Sequence, residues 1–214
     1  MKECGLFDFD GTVTYPDTTK YLILELLKKR PLRFFLLFKS FLVIKTLKDP
    51  GRIQLAKNTA IGILIKGLSV KEIESVVNVF HKKIRTLTRP VVMDRIKKFS
   101  EEGKDILIVT ASPVFAVNNF FKEMKVSVLG TEFSIKDGIY NGNLETASCY
   151  GHEKVNRIEG WLLNNNPKIE FVESWSDSLS DKPMMKLSNN RYWVVDENKE
   201  VFEKEDPLGL YVNE

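Results

Sequence analysis

The sequence predicts an α/β protein built on a doubly wound, mostly parallel sheet, with an all-helical insertion after the first strand. A short apolar run near the N-terminus ends in Asp8-Phe9-Asp10-Gly11-Thr12, which reads as a buried strand closed by a turn. From Arg89-Pro90 onward, apolar runs alternate with helix-period segments, the pattern of parallel β-α-β units. Between the two, residues 17–86 carry helix signals and no strand signal. The expected division is therefore a core of residues 1–15 and 87–214, with a helical cap of residues 16–86 covering the ends of the strands.

Within the insertion, Pro16-Asp17-Thr18 opens a first helix and Pro31 a second, which Asp49-Pro50-Gly51 closes. A third covers about 52–66. Ser69-Val70-Lys71-Glu72 forms a capping-box pattern that opens a fourth, about 70 to 85. In the core, 91–102 reads as a helix, 105–109 as a strand, 113–124 as a helix and 126–133 as a weaker strand. Turn signals at Asp137-Gly138 and Asn141-Gly142 suggest a small β excursion over 133–146. A helix follows over 151–164, then strands over 169–174 and 191–196.

The second helix of the insertion has apolar residues on every side: Leu32, Phe34–Phe38, Phe41–Ile44 and Leu47. Residues 28–57 carry a net charge of +8, against −5 for the rest of the chain. Such a helix is either buried centrally in the cap, covered in a homodimer, or laid on an anionic membrane surface through residues 31–48. Arg30, Arg33 and Arg52 are then candidate headgroup or substrate contacts. Packed aliphatics and Phe, rather than aromatics exposed on a sheet, argue against nucleic acid as the partner of this basic segment. No apolar run reaches the roughly 20 uncharged residues of a membrane span. The first strand starts almost at Met1, so no signal peptide is expected. Cys4 and Cys149 fit neither a metal spacing nor a disulfide framework. The expected location is cytoplasmic, with peripheral contact at the inner membrane face.

The chemistry-bearing residues lie where strands end. Side chains alternate along a strand, so Asp8 and Asp10 share a face around Phe9. Close carboxylates repel unless a cation stands between them, and Mg²⁺ favours oxygen ligands. Gly11 permits close approach of the backbone to a ligand, and the N–H groups of the turn can bind an anion. Thr110 and Ala111 follow the strand at 105–109. Lys154, with His152 beside it, opens the helix at 151–164. Asp177 and Asp181 follow the strand at 169–174. In a doubly wound sheet such strand ends converge.

Asp-x-Asp-Gly-Thr-x-Thr, followed by Thr110, Lys154 and Asp177-x-x-x-Asp181 in this order, resembles the motifs of the haloacid dehalogenase superfamily across most of the chain. The resemblance implies a Rossmann-like core and phosphatase activity. It implies Asp8 as nucleophile and Asp10 as general acid and base. Mg²⁺ would sit on Asp8, the Asp10 carbonyl and Asp177, with Asp181 in its inner or outer shell. Gly11, Thr12, Thr110, Ala111 and Lys154 would hold the phosphate. The segments Tyr150–Val155 and Trp175–Pro183 are similar to those of the phosphatidylglycerophosphatase C family, in the subgroup that includes phosphoserine phosphatases. That similarity implies a lipid phosphate as substrate; a small soluble phosphomonoester is the alternative. Ser176 departs from the Gly common at its position, and Thr110 from the commoner Ser.

Overall fold

The computed structural model describes residues 2–37, 48–165 and 168–194, and the backbone of 201–203. Six strands form the main sheet in the order β3-β2-β1-β6-β7-β8. They are β1 (Lys2–Phe7), β2 (Asp105–Pro113), β3 (Val126–Thr131), β6 (Ile169–Ser176), β7 (Asn190–Val194) and β8 (Val201–Glu203). Their pairings are parallel except for the β7–β8 edge. The order reverses at β1, so the carboxyl ends of β1, β2 and β6 flank the crevice where doubly wound sheets place their sites. The strands β4 (Phe133–Lys136) and β5 (Ile139–Leu144) form a separate antiparallel hairpin, the expected excursion.

The insertion contributes α1 (Thr19–Lys29), α2 (Pro50–Ile65) and α3 (Val70–Ile84). The α3 capping box is present: Ser69 Oγ accepts from Glu72 N–H, and Glu72 Oε2 accepts from Ser69 N–H at 3.0 Å. The Asp49-Pro50-Gly51 stretch starts α2. Asp49 Oδ1 accepts from Arg52 N–H at 2.7 Å, and Pro50 occupies the first turn, where its missing N–H costs nothing. Glu25 of α1, buried, accepts from Lys28 and from Lys83 of α3 and ties the two helices. At Gly62 of α2 a Cβ would stand 2.2 Å from Gly142 O, so α2 rests directly on the hairpin.

One apolar cluster runs from Leu22, Leu26, Ile61, Leu64 and Phe80 of these helices to Phe7 and Phe9 at the end of β1 and to Ile96 and Phe99 of α4 (Pro90–Glu101). A second cluster, with Leu6, Leu107, Val109, Ile158 and Trp193, fills the opposite face beneath α6 (His152–Asn165). Burial on both faces explains why Ile106–Val109 of β2 reads as a continuous apolar run.

Three expectations are corrected. β2 runs on to Pro113, so Thr110 lies within the strand. The helix expected over 113–124 is only a short α5 (Val114–Val117) followed by a 3₁₀ stretch, because Phe120 and Phe121 turn inward onto Phe9. A short α7 (Lys182–Met185) follows the last acidic motif, and β8 joins the edge; neither is expected from the sequence. Of the all-apolar helix, Pro31–Arg33 form a 3₁₀ turn and 34–37 are helical, while 38–47 lie outside the described residues. Leu32, Phe34, Phe35 and Leu36 are more than half exposed. Among the described residues no helix is long and apolar enough to cross a membrane.

Candidate active site

β1 ends at Phe7, and residues 9–13 form a π-type turn closed by Thr14 N–H on Phe9 O at 3.0 Å. Phe9 is fully buried, edge-on to Phe120 and Phe121. Anchoring Phe9 in the core leaves Asp8 and Asp10, on either side of it, to line one cleft of about 390 Å³. Asp8 N–H donates to Trp175 O of β6 at 3.0 Å, which fixes Asp8 to the neighbouring strand. Gly11, at φ +80°, has no room for a side chain: a Cβ would lie 2.0 Å from Asp177 Oδ2.

Lys154 is fully buried at the first turn of α6. Its Nζ donates to Asp8 Oδ1 and to Asp181 Oδ2, each at 2.7 Å. Ser176 Oγ donates to the same Asp181 oxygen at 2.7 Å. Thr12 Oγ1 lies 3.1 Å from Asp177 Oδ1 and 3.4 Å from Asp8 Oδ2, so one hydroxyl joins the two carboxylates. The Asp10 carboxylate is held differently. Thr18 N–H and Oγ each donate to Oδ1 at 2.6 Å, and Ser112 Oγ donates to Oδ2 at 2.5 Å. Ser112 N–H donates to Thr110 Oγ1 at 3.0 Å, leaving the Thr110 hydroxyl proton to serve the cleft.

The electrostatics follow from this crowding. Burial raises Asp8 well above the usual carboxylate range; the charges of Asp181 and Asp177 add to it and Lys154 opposes it. Burial also raises Asp10, helped by Asp17 and opposed by Ser112 and Thr18. Asp177 is pushed up to about 6, chiefly by burial. Burial pulls Lys154 down, but Asp181 and Asp8 outweigh it and keep it protonated.

Buried Asp8 and Asp181 share one ammonium, and with the Asp177 carboxylate beside them the set is short of positive charge. No three acidic, His or Cys side chains among the described residues form a ready-made metal cage. Mg²⁺ does not require one, since it keeps several waters and binds through one or two carboxylates plus substrate oxygens. Asp8 and Asp177, linked through Thr12, fit that role. The Asp181 carboxylate is turned to Lys154 and Ser176, and the Asp10 side chain to Thr18 and Ser112. Either residue could join a metal only indirectly or through its backbone.

Asp8, Asp10, Gly11, Thr110, Ala111, Lys154, Asp177 and Asp181 all line this cleft, and Thr12 braces it from behind. Arg30, Arg33, Arg52 and His152 do not line it. Arg30 donates to Gly67 O and Arg33 to Ile63 O, both at the end of α2, while Arg52 and His152 are solvent-exposed. Sequence reasoning missed Tyr15, Asp17, Gln54, Lys57, Arg89, Ser112 and Tyr150, which complete the walls. Arg89 is fully buried; its Nε donates to Gly11 O at 3.2 Å and its guanidinium lies 4.5 Å from the Tyr15 ring centre. The one sequence signal for it was its place at the return from the insertion.

The model of the haloacid dehalogenase-like hydrolase family matches residues 6–186. This chain belongs to that family. A probable phosphatase of Mycobacterium tuberculosis is 26% identical over 121 residues, which are 56% of this chain and 42% of that protein. The chain thus aligns with less than half of that relative's length. A Bordetella pertussis protein of unknown function superposes with a TM-score of 0.69 at 19% identity, covering 89% of each chain. A substrate-bound phosphoserine phosphatase does so with a TM-score of 0.56 at 18% identity, covering 89% of this chain and 84% of that one. At these identities the likeness is one of fold.

Proposed function

We propose that this haloacid dehalogenase-like hydrolase is a Mg²⁺-dependent phosphomonoesterase working through an aspartyl phosphate on Asp8. The observation that carries the reading is the Lys154 ammonium set between Asp8 and Asp181 in the same cleft as Asp177. A carboxylate so placed has a cation beside it for the oxygens of an incoming phosphate. Mg²⁺, when bound at Asp8 and Asp177, would offset the repulsion between nucleophile and phosphate.

The steps by this chain's residues are these. The Asp8 carboxylate attacks phosphorus while the bond to the leaving alcohol breaks, and Asp10 gives its proton to that oxygen. Burial and Asp17 raise Asp10, which favours the protonated form this step needs. Asp10, now ionised, takes a proton from water as the water attacks phosphorus. The Asp8–phosphate bond then breaks and inorganic phosphate leaves. Lys154, the Thr110 hydroxyl and the N–H groups of the Gly11 turn hold the nonbridging oxygens. Helices α1–α3 act as the cap, supplying Thr19, Gln54 and Lys57 to the mouth.

Among the described residues the cleft walls are mostly polar, with Tyr15, Pro16, Ala111 and Tyr150 and no Leu, Ile, Val or Phe. This favours a small polar phosphomonoester. Exposed Leu32, Phe34, Phe35 and Leu36, next to Lys28 and Lys29, favour a second reading, a lipid phosphate presented at an anionic surface. Phosphate release by wild type and Asp8→Asn, with and without Mg²⁺, tests the activity; a fully active Asp8→Asn protein overturns it. Turnover of lipid phosphates in anionic vesicles, compared with soluble esters, decides between the substrates.

A further inference from the structure

Gln54 of the cap helix α2 reaches across the cleft to Ala111. Its Nε2 lies 3.2 Å from Ala111 O and 3.2 Å from Asn58 Oδ1. Asn58, fully buried one turn further along α2, passes its own Nδ2 to Ser148 Oγ at 2.8 Å. The direction of this chain is fixed at its start. A backbone carbonyl can only accept, so the Gln54 atom against Ala111 is the nitrogen. Both of its N–H groups are then committed, one to Ala111 O and one to Asn58 Oδ1. Thr131 Oγ1 donates to the same Ala111 oxygen at 2.8 Å, so that acceptor is itself held in place.

What remains of Gln54 is Oε1, which accepts no hydrogen bond from any described residue, on a side chain that lines the cleft. Lys57, on the same helix, is engaged by Asp17. We infer that Gln54 is a specificity-determining residue: its Oε1 accepts a hydrogen bond from the leaving group. This rests on the phosphomonoesterase reading and narrows its substrate class to esters whose alcohol carries a further hydroxyl or ammonium donor. An alkyl leaving group would strip water from Oε1 and give nothing back, and that asymmetry is the source of discrimination.

The test compares kcat/KM of the full chain, with Mg²⁺, on 2-hydroxyethyl phosphate and on propyl phosphate, which differ little in size. Wild type is expected to prefer the hydroxylated ester by about tenfold or more. Gln54→Met should bring that ratio close to one. Asn58→Leu, outside the cleft, frees the Gln54 amide to rotate and also removes the bond to Ser148; it should lower the ratio by about threefold. A residue that merely latched the cap would change both rates alike and leave the ratio untouched. A wild-type ratio near one overturns the inference even if neither variant folds, and so does a Gln54→Met ratio equal to wild type. If wild type hydrolyses neither ester, nor 4-nitrophenyl phosphate, nor a lipid phosphate in anionic vesicles, the phosphomonoesterase reading fails and takes the inference with it. Turnover of the two esters with an unchanged ratio, or of the lipid phosphate alone, overturns the Gln54 assignment alone.

Discussion

Lys154 and Asp8, 146 residues apart in the chain, form a buried 2.7 Å ion pair at the end of the parallel sheet. Removing the ammonium leaves Asp8 and Asp181 buried with no cation between them. Lys154→Met is therefore expected to lose about 3–5 kcal/mol of stability in Mg²⁺-free urea unfolding, together with phosphatase activity. Stability unchanged within 1 kcal/mol would show that the carboxylates are not held as described.

Asp177 gives a pH dependence with a definite sign. Its pKa in the fold is about 6, above the ordinary 3.8. A raised carboxyl contributes stability while protonated and loses it as pH rises across that interval. A cation at Asp8 and Asp177 favours the ionised form and reverses the loss. Mg²⁺ should thus raise Tm more at about pH 7.5 than at about pH 5, measured by scanning fluorimetry with and without the metal. An equal shift at both values would contradict the assignment.

Gly11→Ala inserts a methyl group where Asp177 Oδ2 stands, on backbone with φ +80°. Asp177 has to move, and displacement of about 1 Å in such a site costs on the order of 100-fold in rate. The expected result is that loss in kcat/KM, with a higher Mg²⁺ concentration needed for half-maximal activity in titrations against metal.

Ser112 Oγ favours the ionised form of Asp10. Ser112→Ala removes that donor and raises Asp10 further, so more of it carries the proton at a given pH. The alkaline limb of the kcat/KM profile, where Asp10 must still be protonated to act as acid, should move to higher pH. A limb that moves down or stays in place would assign the acid elsewhere.

The fold class was legible because Ile106–Val109 of β2 is a continuous apolar run, helix-period segments alternate with strand patterns after Pro90, and the Asp8–Thr12 motif marks a strand end. The α3 cap was legible because Ser69 and Glu72 stand at the capping-box spacing. The cleft walls were less so. Gln54 and Lys57 lie on a helix whose polar and apolar residues are not segregated to two faces, and nothing in one sequence says which turn of α2 meets the phosphate side. Ser112 reaches Asp10 only because β2 runs beyond Val109, an extension hidden by the turn-like Ser112-Pro113. The length of the helix after it was misjudged because Phe120 and Phe121 pack inward on Phe9, a tertiary demand that local propensity does not carry.

The central claim is that the Asp8 carboxylate takes the phosphoryl group. Its most direct measurement is mass spectrometry of peptides after acid quench of the enzyme turning over 4-nitrophenyl phosphate with Mg²⁺. The account predicts a phosphate adduct on the peptide carrying Asp8, absent from Asp8→Asn. Turnover with no adduct there, or an adduct on another peptide that persists in Asp8→Asn, would contradict it.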